Sequence, residues 1–400
     1  MPQPTRAECP SSRRQADVAD TTQAPLAGVR IVELAGIGPG PFAGMMLADL
    51  GAEVICVDRP GGNPWAASGH GVMFRSRRSI AVDLKSSDGA EIMRRLCTSA
   101  DGVIETFRPG VAERLGVGPA DCMAANPALV YGRMTGWGQD GPLASMPGHD
   151  INYIALTGAL HAIGRRGEAP VPPLNLVGDF GGGGMLLTVG MLAGIMSART
   201  TGVGRIVDAA MIDGASALMA MFHGLRGEGA FSENRGTHLL DTGAFFYDVY
   251  RTRDEKWVSI GAIEDQFWHD LCDALDLPAE VRHNQFDTTR WDDFRDILGR
   301  RIATFDRSEL DNLLLGRNTC YAPVLTLAEA AAHPHHVARG TFVEVDGIVQ
   351  AAPAPRFDGA PATKPGPPRK PGADTRQILI DAGYGAAEIE RLVSSGAAAE

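Results

Sequence analysis

The chain has 400 residues, of which 44% are hydrophobic and 21% are charged, and its formal net charge is −11. This length predicts two or three domains with a large core, and the acidic balance argues against nucleic acid as a partner. The six cysteines are scattered without a CxxC pair, which argues against a metal site and favours a reduced, cytoplasmic location. Since no apolar run reaches transmembrane length and no signal peptide is visible, we expect no membrane partner.

The first half of the chain alternates strand and helix patterns. Residues 1–25 are polar and aperiodic, and we interpret them as a disordered extension. From residue 26 we expect strands at 29–34, 53–58, 80–85, 102–105, 129–134 and 206–209, a Gly/Pro turn at 36–41, and helices at 42–50, 88–100, 151–162, 185–197 and 213–223. This alternation predicts a parallel α/β domain at residues 26–223.

The turn after the first strand invites a dinucleotide-binding interpretation. Gly36 and Gly38 follow the strand, and the acid Asp58 lies about 20 residues further on. However, Pro39 and Pro41 remove backbone N–H donors from the loop, and Pro41 occupies the third position of the fingerprint. A tight strand–helix turn is therefore the preferred interpretation, although the arginine after Asp58 leaves an NADP-binding variant open.

Basic side chains recur where the predicted strands end. Arg59 follows the second strand, Lys85 ends the third, and Arg108 and Arg114 follow the fourth. In open α/β sheets, ligand sites gather in the loops at strand ends. The clustering therefore predicts a site for a polyphosphate group.

The second half of the chain predicts a smaller domain and a return. The Gly-rich residues 224–243 are interpreted as a linker, 244–330 as a small α+β domain, 331–352 as a return linker, and 353–400 as a C-terminal segment that completes the large domain. Within the small domain we expect a strand at 257–260 and helices at 265–275, 291–304 and 307–315. The histidines at 333–336 are interpreted as a surface turn and not as a metal site.

The stretch 148–184 carries the residue types that proton transfer at carbon requires. His149 and Asp150 stand near its start, Asp179 follows, and four glycines at 181–184 precede the helix predicted from 185. Racemisation next to a thioester needs a base on one face of the carbon and an acid on the other, and each contributes roughly 10²–10⁴ in rate. A glycine-rich helix start would offer backbone N–H donors to the enolate oxygen.

Several segments together resemble the α-methylacyl-CoA racemases of the class III (family III) CoA-transferase superfamily. The segments are LAGVRIVELAG at 26–36, DLK at 83–85, FRPG at 107–110, GWGQ at 136–139, GAIE at 261–264, PAPRF at 353–357, and the motifs around His149 and Asp179. The resemblance covers nearly the whole chain after residue 25. Each segment alone is weak evidence, whereas the joint pattern is specific.

The resemblance implies a fold, an assembly and a reaction. The fold would be a large Rossmann-like parallel-sheet domain with a smaller α+β domain. Two chains would form an interlocked homodimer, in which the small domain of one subunit completes the site of the other. The reaction would interconvert (2R)- and (2S)-2-methylacyl-CoA thioesters through an enolate, in branched-chain fatty acid metabolism and without a separate cofactor. The sequence does not fix the acyl chain.

The resemblance also implies a role for each site residue. His149 and Asp179 would be the acid/base pair, Glu264 would orient His149, and Asp150 would assist. The CoA-binding residues would be Arg59, Lys85, Arg108 and Arg114 at the phosphates, Val82, Asp83, Leu84, Thr106 and Phe107 beside the adenine and pantetheine, and Gly148, Asn152 and Tyr153 along the thioester. Arg75 is added to the phosphate group because it lies in the same basic stretch.

Other functions stay open at this point. In a CoA-transferase of the same superfamily, Asp179 would be a nucleophile that forms an acyl-enzyme anhydride and then an enzyme–CoA thioester. The presence of His149, and of Asn175 before Asp179, favours the racemase. A nicotinamide-dependent dehydrogenase and a non-catalytic CoA-binding protein are the remaining alternatives.

Overall fold

The computed structural model describes residues 23–62, 70–359 and 364–400, so residues 1–22 of the predicted extension lie outside the described residues. The strands of the first half are β1 (Arg30–Leu34), β2 (Glu53–Asp58), β3 (Arg78–Val82), β4 (Gly102–Glu105), β5 (Val130–Thr135) and β6 (Ile206–Ala210). Its α-helices are α1 (Pro39–Asp49), α2 (Ser87–Cys97), α3 (Val111–Arg114), α4 (Pro119–Ala125), α5 (Asp150–Leu156), α6 (Ala159–Ala162), α7 (Leu186–Thr201), α8 (Met211–Leu218) and α9 (Ala220–Gly227). A 3₁₀ helix covers His70–Phe74, and a π-helix covers Leu176–Met185.

A smaller α+β unit follows the Gly-rich crossing. Its antiparallel sheet consists of β7 (Tyr247–Arg251), β8 (Trp257–Gly261) and β9 (Tyr321–Val324), and its helices are α10 (Asp265–Leu275), α11 (Ala279–His283), α12 (Trp291–Ile302) and α13 (Arg307–Leu314). The unit has its own buried core, in which the rings of Trp268 and Phe294 lie 5.2 and 5.4 Å from that of Phe245. Such a core is what an independent domain requires.

The chain then returns to the first domain. The returning elements are α14 (Leu327–Ala332), α15 (Pro334–Arg339), the hairpin β10 (Phe342–Val345) and β11 (Ile348–Ala351), α16 (Thr375–Asp381), α17 (Ala386–Ser394) and β12 (Ala398–Ala399). Strand β12 pairs antiparallel with β3, where Ala398 lies opposite Val82. The C-terminal segment therefore contributes an edge strand to the large sheet.

The large sheet has a topological switch point in its middle. The strand order within the described residues is β12-β3-β2-β1-β4-β5-β6, and β1 to β6 are parallel. The chain passes from β1 to β2 on one side and later returns to place β4 on the other side of β1. In open α/β sheets, the loops that leave two such strands diverge and open a crevice at the carboxyl edge. The switch point thus predicts where a ligand binds.

Two buried clusters cover the opposite faces of this sheet. Val32 and Leu34 of β1 belong to one cluster, and Ile31 belongs to the other, as the alternation of side chains along a strand requires. The strands of the sheet are therefore nearly continuous apolar runs, which is typical of parallel sheets buried on both faces. This packing leaves the carboxyl edge free for polar loops.

The four glycines lie inside a helix and not at its start. The helix expected from residue 185 begins earlier, as the π-helix from Leu176, and continues into α7. A Cβ on Gly182 would lie 2.6 Å from the backbone N of Ala215 in α8, and a Cβ on Gly184 would lie 2.7 Å from the ring of Phe42 in α1. The glycines therefore allow α1 and α8 to pack closely against the π-helix.

The expectation that no apolar segment reaches transmembrane length is wrong for this same helix. Leu176–Thr201 is a continuous helix of 26 residues with a hydropathy of 1.5, so by length and composition it meets the requirement for a membrane span. In its most apolar window, 44% of the residues are buried inside the chain. Core helices of water-soluble proteins meet the same criteria, so this is weak evidence for a membrane.

Arg75 is a structural residue, and its predicted contact with a phosphate is wrong. The side chain is 2% exposed and forms an ion pair with Asp49 at the end of α1. It also donates to Oε1 of Gln350 at 2.8 Å and to the carbonyl of Ala351 at 2.7 Å. Arg75 thereby fixes the returning hairpin to the large domain.

Candidate active site

A cavity of about 400 Å³ opens at the switch point, between the loops that follow β1 and β4. Its described lining consists of Ile37, Gly38, Pro39, Met73, Thr106, Phe107, Arg108, Pro109, Met134, Thr135, Gly136, Trp137, Ala144, Met146, Pro147, Gly148, His149, Tyr153, Asn175, Asp179 and Met211. The lining therefore unites His149 and Asp179 with Thr106, Phe107, Arg108, Gly148 and Tyr153 from the predicted CoA site.

His149 is held by its backbone at the start of α5. It is the N-cap residue of this helix, and its backbone N–H donates to Oδ1 of Asn152 at 3.1 Å. The side chain is exposed toward the cavity that it lines. The helix predicted at 151–162 is interrupted after Leu156 and resumes as α6 beyond Gly158, which has a φ of 83°. The Asn152 side chain accepts from the backbone N–H of His149 and does not occupy its imidazole, which lines the cavity.

Asp179 lies in the first turn of the π-helix and is held from three sides. Its backbone N–H donates to Oδ1 of Asp150 at 2.7 Å, and Asn175 Nδ2 donates to its Oδ2 at 2.9 Å. Gly38 passes directly over the carboxylate, since a Cβ on this residue would lie 3.1 Å from Oδ2. Gly38 also has a φ of 67°, so a side chain there would be strained as well as crowded.

The environment of Asp179 raises the pKa of its carboxyl group. Burial raises the pKa of this carboxyl above its ordinary value, and the charge of Asp150 adds to the increase. The hydrogen bond from Asn175 and the charge of His149 act in the opposite direction but do not cancel it. An acid whose pKa is moved toward neutrality is better suited to exchange protons near pH 7.

Asp150 supports Asp179 from behind. Its side chain is buried, and Oδ1 accepts the Asp179 N–H while Oδ2 has no hydrogen-bond partner among the described residues. A Cβ on Gly178 would lie 2.3 Å from Oδ1, so only glycine leaves room for this contact. In this geometry, Asp150 fixes the backbone of Asp179 and does not line the cavity.

Tyr153 sets the shape of the segment before His149. Its hydroxyl donates to the carbonyl of Gly148, and its ring meets that of Trp137 edge-on with centroids 4.7 Å apart. A Cβ on Gly136 would lie 2.0 Å from the tyrosine ring, and one on Gly148 would lie 2.7 Å from it. The Tyr153 ring therefore packs against the GWGQ segment, and the sequence did not reveal this role of the segment.

The predicted phosphate ligands share the carboxyl edge of the sheet but not all of them reach the cavity. Arg59, Lys85, Arg108 and Arg114 are exposed and follow the ends of β2, β3 and β4. Because these strands are parallel, their ends form one positively charged edge. Only Arg108 of the four lines the described part of the cavity, while the Arg59 Nε donates to the carbonyl of Gly62 at 2.7 Å.

The predicted segment 82–85 lies outside the described cavity lining, as does Asn152. Val82 is 1% exposed, and the Asp83 N–H donates to the carbonyl of Ala397 at 2.9 Å. The backbone of Val82 and Asp83 is thus occupied by β12, whereas Leu84 and Lys85 are more accessible.

Glu264 does not line the described cavity of its own chain. It is an exposed N-cap residue of α10 in the small domain, where burial and the charge of Glu264 raise the pKa of Cys320. The described lining of the cavity includes no residue of the small domain.

The expectation that the glycine run offers backbone N–H donors to an enolate oxygen is also wrong. Gly181 to Gly184 lie in the interior of the π-helix, where backbone N–H groups bond to carbonyls five residues earlier. Their N–H groups are therefore not available to a ligand. The sequence also missed several apolar lining residues, among them Met73, Met134 and Met146. Abundant methionine was visible, but no pattern distinguished these residues from Met191, which is core.

These features define an α/β protein in which His149 and Asp179 line one cavity at the switch point of the sheet, with a basic edge beside it. The chain belongs to CoA-transferase family III, whose family model matches residues 26–375. It is 40% identical to α-methylacyl-CoA racemase of Mus musculus over 92% of this chain and 96% of the mouse protein. The corresponding human protein is 39% identical over 92% and 96% of the two chains.

A solved structure shows the same architecture. The crystal structure of Rv3272 from M. tuberculosis has a TM-score of 0.77 and 28% identity, and the match covers 90% of this chain and 100% of that chain. The predicted fold of a large parallel-sheet domain with a smaller α+β domain is therefore confirmed. The predicted family is confirmed as well.

The hydrogen bond from Asn175 makes a pH-dependent prediction. Because this bond lowers the pKa of Asp179, replacing Asn175 with Ala is expected to raise that pKa further. In the direction in which Asp179 acts as a base, the acid limb of the kcat/KM profile then moves to higher pH. Asn312→Ala, at an exposed position of α13, should leave the profile unchanged. An unshifted acid limb in Asn175→Ala would contradict this role.

Proposed function

We propose that this protein is a racemase that interconverts (2R)- and (2S)-2-methylacyl-CoA thioesters. The observation that carries the proposal is the placement of His149 and Asp179 in the lining of one cavity at the switch point. One group removes the α-proton, and the other returns a proton to the opposite face of the planar enolate. The relatives named racemases support the same reaction. We further propose that CoA is part of the substrate, that no other cofactor is needed, and that the protein acts in the cytoplasm.

The reaction predicts exchange of the α-hydrogen with solvent. In deuterated water, the protein should incorporate deuterium at C2 of a 2-methylacyl-CoA and convert either epimer to a mixture of both. Mass spectrometry and chiral analysis of the released acid would follow the two processes. No carboxylic acid acceptor should be required. Failure of exchange with several chain lengths, in protein that binds CoA, would exclude the racemase function.

We also propose that the active unit is a homodimer in which Glu264 of one subunit orients His149 of the other. Glu264 is the N-cap residue of α10 in the small domain and does not line the described cavity of its own chain, which supports a role across subunits. Large apolar side chains on α5 and α7 are also exposed, namely Leu156 at 66%, Val189 at 62% and Met196 at 72%. Exposed apolar side chains of this size are available for a subunit interface.

Mixed dimers would test this arrangement. His149→Ala and Glu264→Ala chains are each expected to be inactive as homodimers. When they are co-expressed, each mixed dimer has one site with both groups intact, so random pairing should restore about a quarter of the wild-type activity. If Glu264 acted within its own chain, every site would lack one group and co-expression would restore nothing. Purification with two different tags would confirm that mixed dimers form.

The alternative function is transfer of CoA between carboxylic acids. The family to which the chain belongs is named for this reaction, which supports the alternative. In that reaction Asp179 attacks the thioester carbonyl, and no base on the opposite face is needed. The presence of His149 in the same cavity favours the racemase, since a transferase gives this group no necessary task.

A further inference from the structure

The turn that carries Arg108 and Arg114 is too short to hold itself in place. We call residues 108–114 the arginine turn. Its only regular part within the described chain is α3, a single helical turn of four residues that starts after Gly110, whose φ is 80°. An isolated helix of this length is not stable in water. The orientation of the two arginines must therefore depend on contacts from outside the turn.

Arg133 on β5 supplies the main polar contact. Its side chain is 10% exposed, and Nη1 lies 2.8 Å from Oε1 of Glu113, in the middle of α3. Its Nε lies 3.7 Å from Oε1 of Glu105, its register partner on β4. The guanidinium thus joins the end of the sheet to the arginine turn through two carboxylates.

Glu113 connects this anchor to the backbone of the turn. Burial raises the pKa of Glu113, but hydrogen bonds from its own N–H, from Arg133 and from the Gly110 N–H outweigh this effect and lower it. The carboxylate therefore stays ionised at neutral pH. A Cβ on Gly118 would lie 3.0 Å from the Glu113 Cγ, and Ala112 is fully buried. The Glu113 side chain is 45% exposed, and its contacts with Arg133 and Gly118 restrict its movement.

The two arginines are exposed and have no described ion pair with Glu113. Arg108 is exposed and lines the cavity, and Arg114 is exposed with Nη1 3.3 Å from the position that a Cβ on Gly110 would occupy. Three guanidinium groups are thus gathered within one loop and the adjoining strand. Without Glu113, Arg133 would lose its close partner, and α3 would lose the ion pair that joins it to β5.

We propose that the Arg133–Glu113 ion pair is a positioning device for Arg108 and Arg114 and that it sets the affinity for the phosphate-bearing end of the substrate. The pair does not touch the ligand. It holds α3 so that the two exposed guanidinium groups face one polyphosphate. This inference rests on the proposed function, because it takes CoA as the ligand of the arginine turn.

The affinity for free CoA, measured by isothermal titration calorimetry, tests the inference. Glu113→Gln keeps the size of the side chain but removes the charge, and it is expected to weaken CoA binding by roughly tenfold, in line with loss of a charge-assisted hydrogen bond. With a 2-methylacyl-pantetheine thioester, which lacks the nucleotide phosphates, kcat/KM should not change. With the acyl-CoA at saturation, kcat should also be retained, so that the whole effect appears in KM.

Arg133→Met combined with Glu113→Gln should weaken CoA binding no more than the stronger single change does, because the two residues act as one unit.

The control is a matched ion pair at the opposite edge of the sheet. Glu53 pairs with Arg30 and Arg78 at 2.7 Å each, with a side chain 32% exposed. Glu53→Gln should leave CoA affinity unchanged. Equal CoA affinity of Glu113→Gln and wild type would overturn the positioning role while leaving the racemase function intact. A parallel loss of activity on the pantetheine thioester would also overturn it, since it would indicate general unfolding. Wild-type protein that does not bind CoA would remove the proposed function and this inference together.

Discussion

Replacing His149 with Ala should abolish deuterium exchange at C2 while leaving CoA binding close to that of the wild type. The loss in kcat is expected to be roughly 10²–10⁴, the usual contribution of one general acid or base. The fold should tolerate the change, because α5 is capped through the His149 backbone N–H and the Asn152 side chain, neither of which is altered. Exchange measured by mass spectrometry and CoA affinity measured by calorimetry would separate the two effects.

The matched control is His283→Ala, at an exposed position of α11 in the small domain. This variant should exchange the α-hydrogen at the wild-type rate. If His149→Ala lost CoA binding without a specific loss of exchange, the protein would be a CoA-binding module and not a racemase. If it kept full exchange, the base would have to be another group in the cavity.

Replacing Asp179 with Asn should sharply reduce racemisation, while a search for an adduct on Asp179 of the wild type separates the racemase from the transferase. In the racemase, the amide cannot return a proton, and racemisation is expected to fall by roughly 10²–10⁴. The amide oxygen can still accept the hydrogen bond from Asn175, and the backbone contact with Asp150 is unaffected, so the fold should persist. In wild-type protein during turnover, hydroxylamine or borohydride should trap no adduct on Asp179.

The transferase makes the opposite prediction for the wild type. It requires a covalent intermediate on Asp179, which hydroxylamine would convert to a hydroxamate detectable by peptide mass spectrometry. It also requires transfer of labelled CoA to an added carboxylic acid. A trapped adduct together with such transfer would replace the racemase function by the alternative. As a control, Asp208→Asn, at the described edge strand β6, should not affect trapping.

The two residues of the proposed acid/base pair could be selected from the sequence because their residue types are chemically specific. His149 and Asp179 stand in motifs whose joint pattern marks the family, and the structure brings both to one cavity. Arg59, Lys85 and Arg108 were predicted from a general rule, that loops at the ends of parallel strands share one edge. Arg75 shows the limit of this reasoning, because a buried ion pair and an exposed ligand have the same sequence signature.

The glycine run shows a second limit. Gly181 to Gly184 fit a helix start that binds an anion, and they equally fit a helix interior against which other helices pack closely. Sequence periodicity does not distinguish a π-helix that merges with an α-helix from a turn that precedes one. Only the contacts of Gly182 with α8 and of Gly184 with α1 decided between these interpretations.

The amino-acid sequence sufficed for the order of strands and helices, for the family, and for the choice of His149 and Asp179 as the proposed proton-transfer residues, because these follow from local patterns and residue chemistry. The tertiary structure decided which groups meet. It placed β4 beside β1, and so opened the cavity at His149 and Asp179. It also directed the Asp150 side chain to the backbone of Asp179, and it placed Glu264 in the small domain. Such contacts join residues distant in the chain, and their geometry is fixed by the packing of the whole sheet and not by any local pattern.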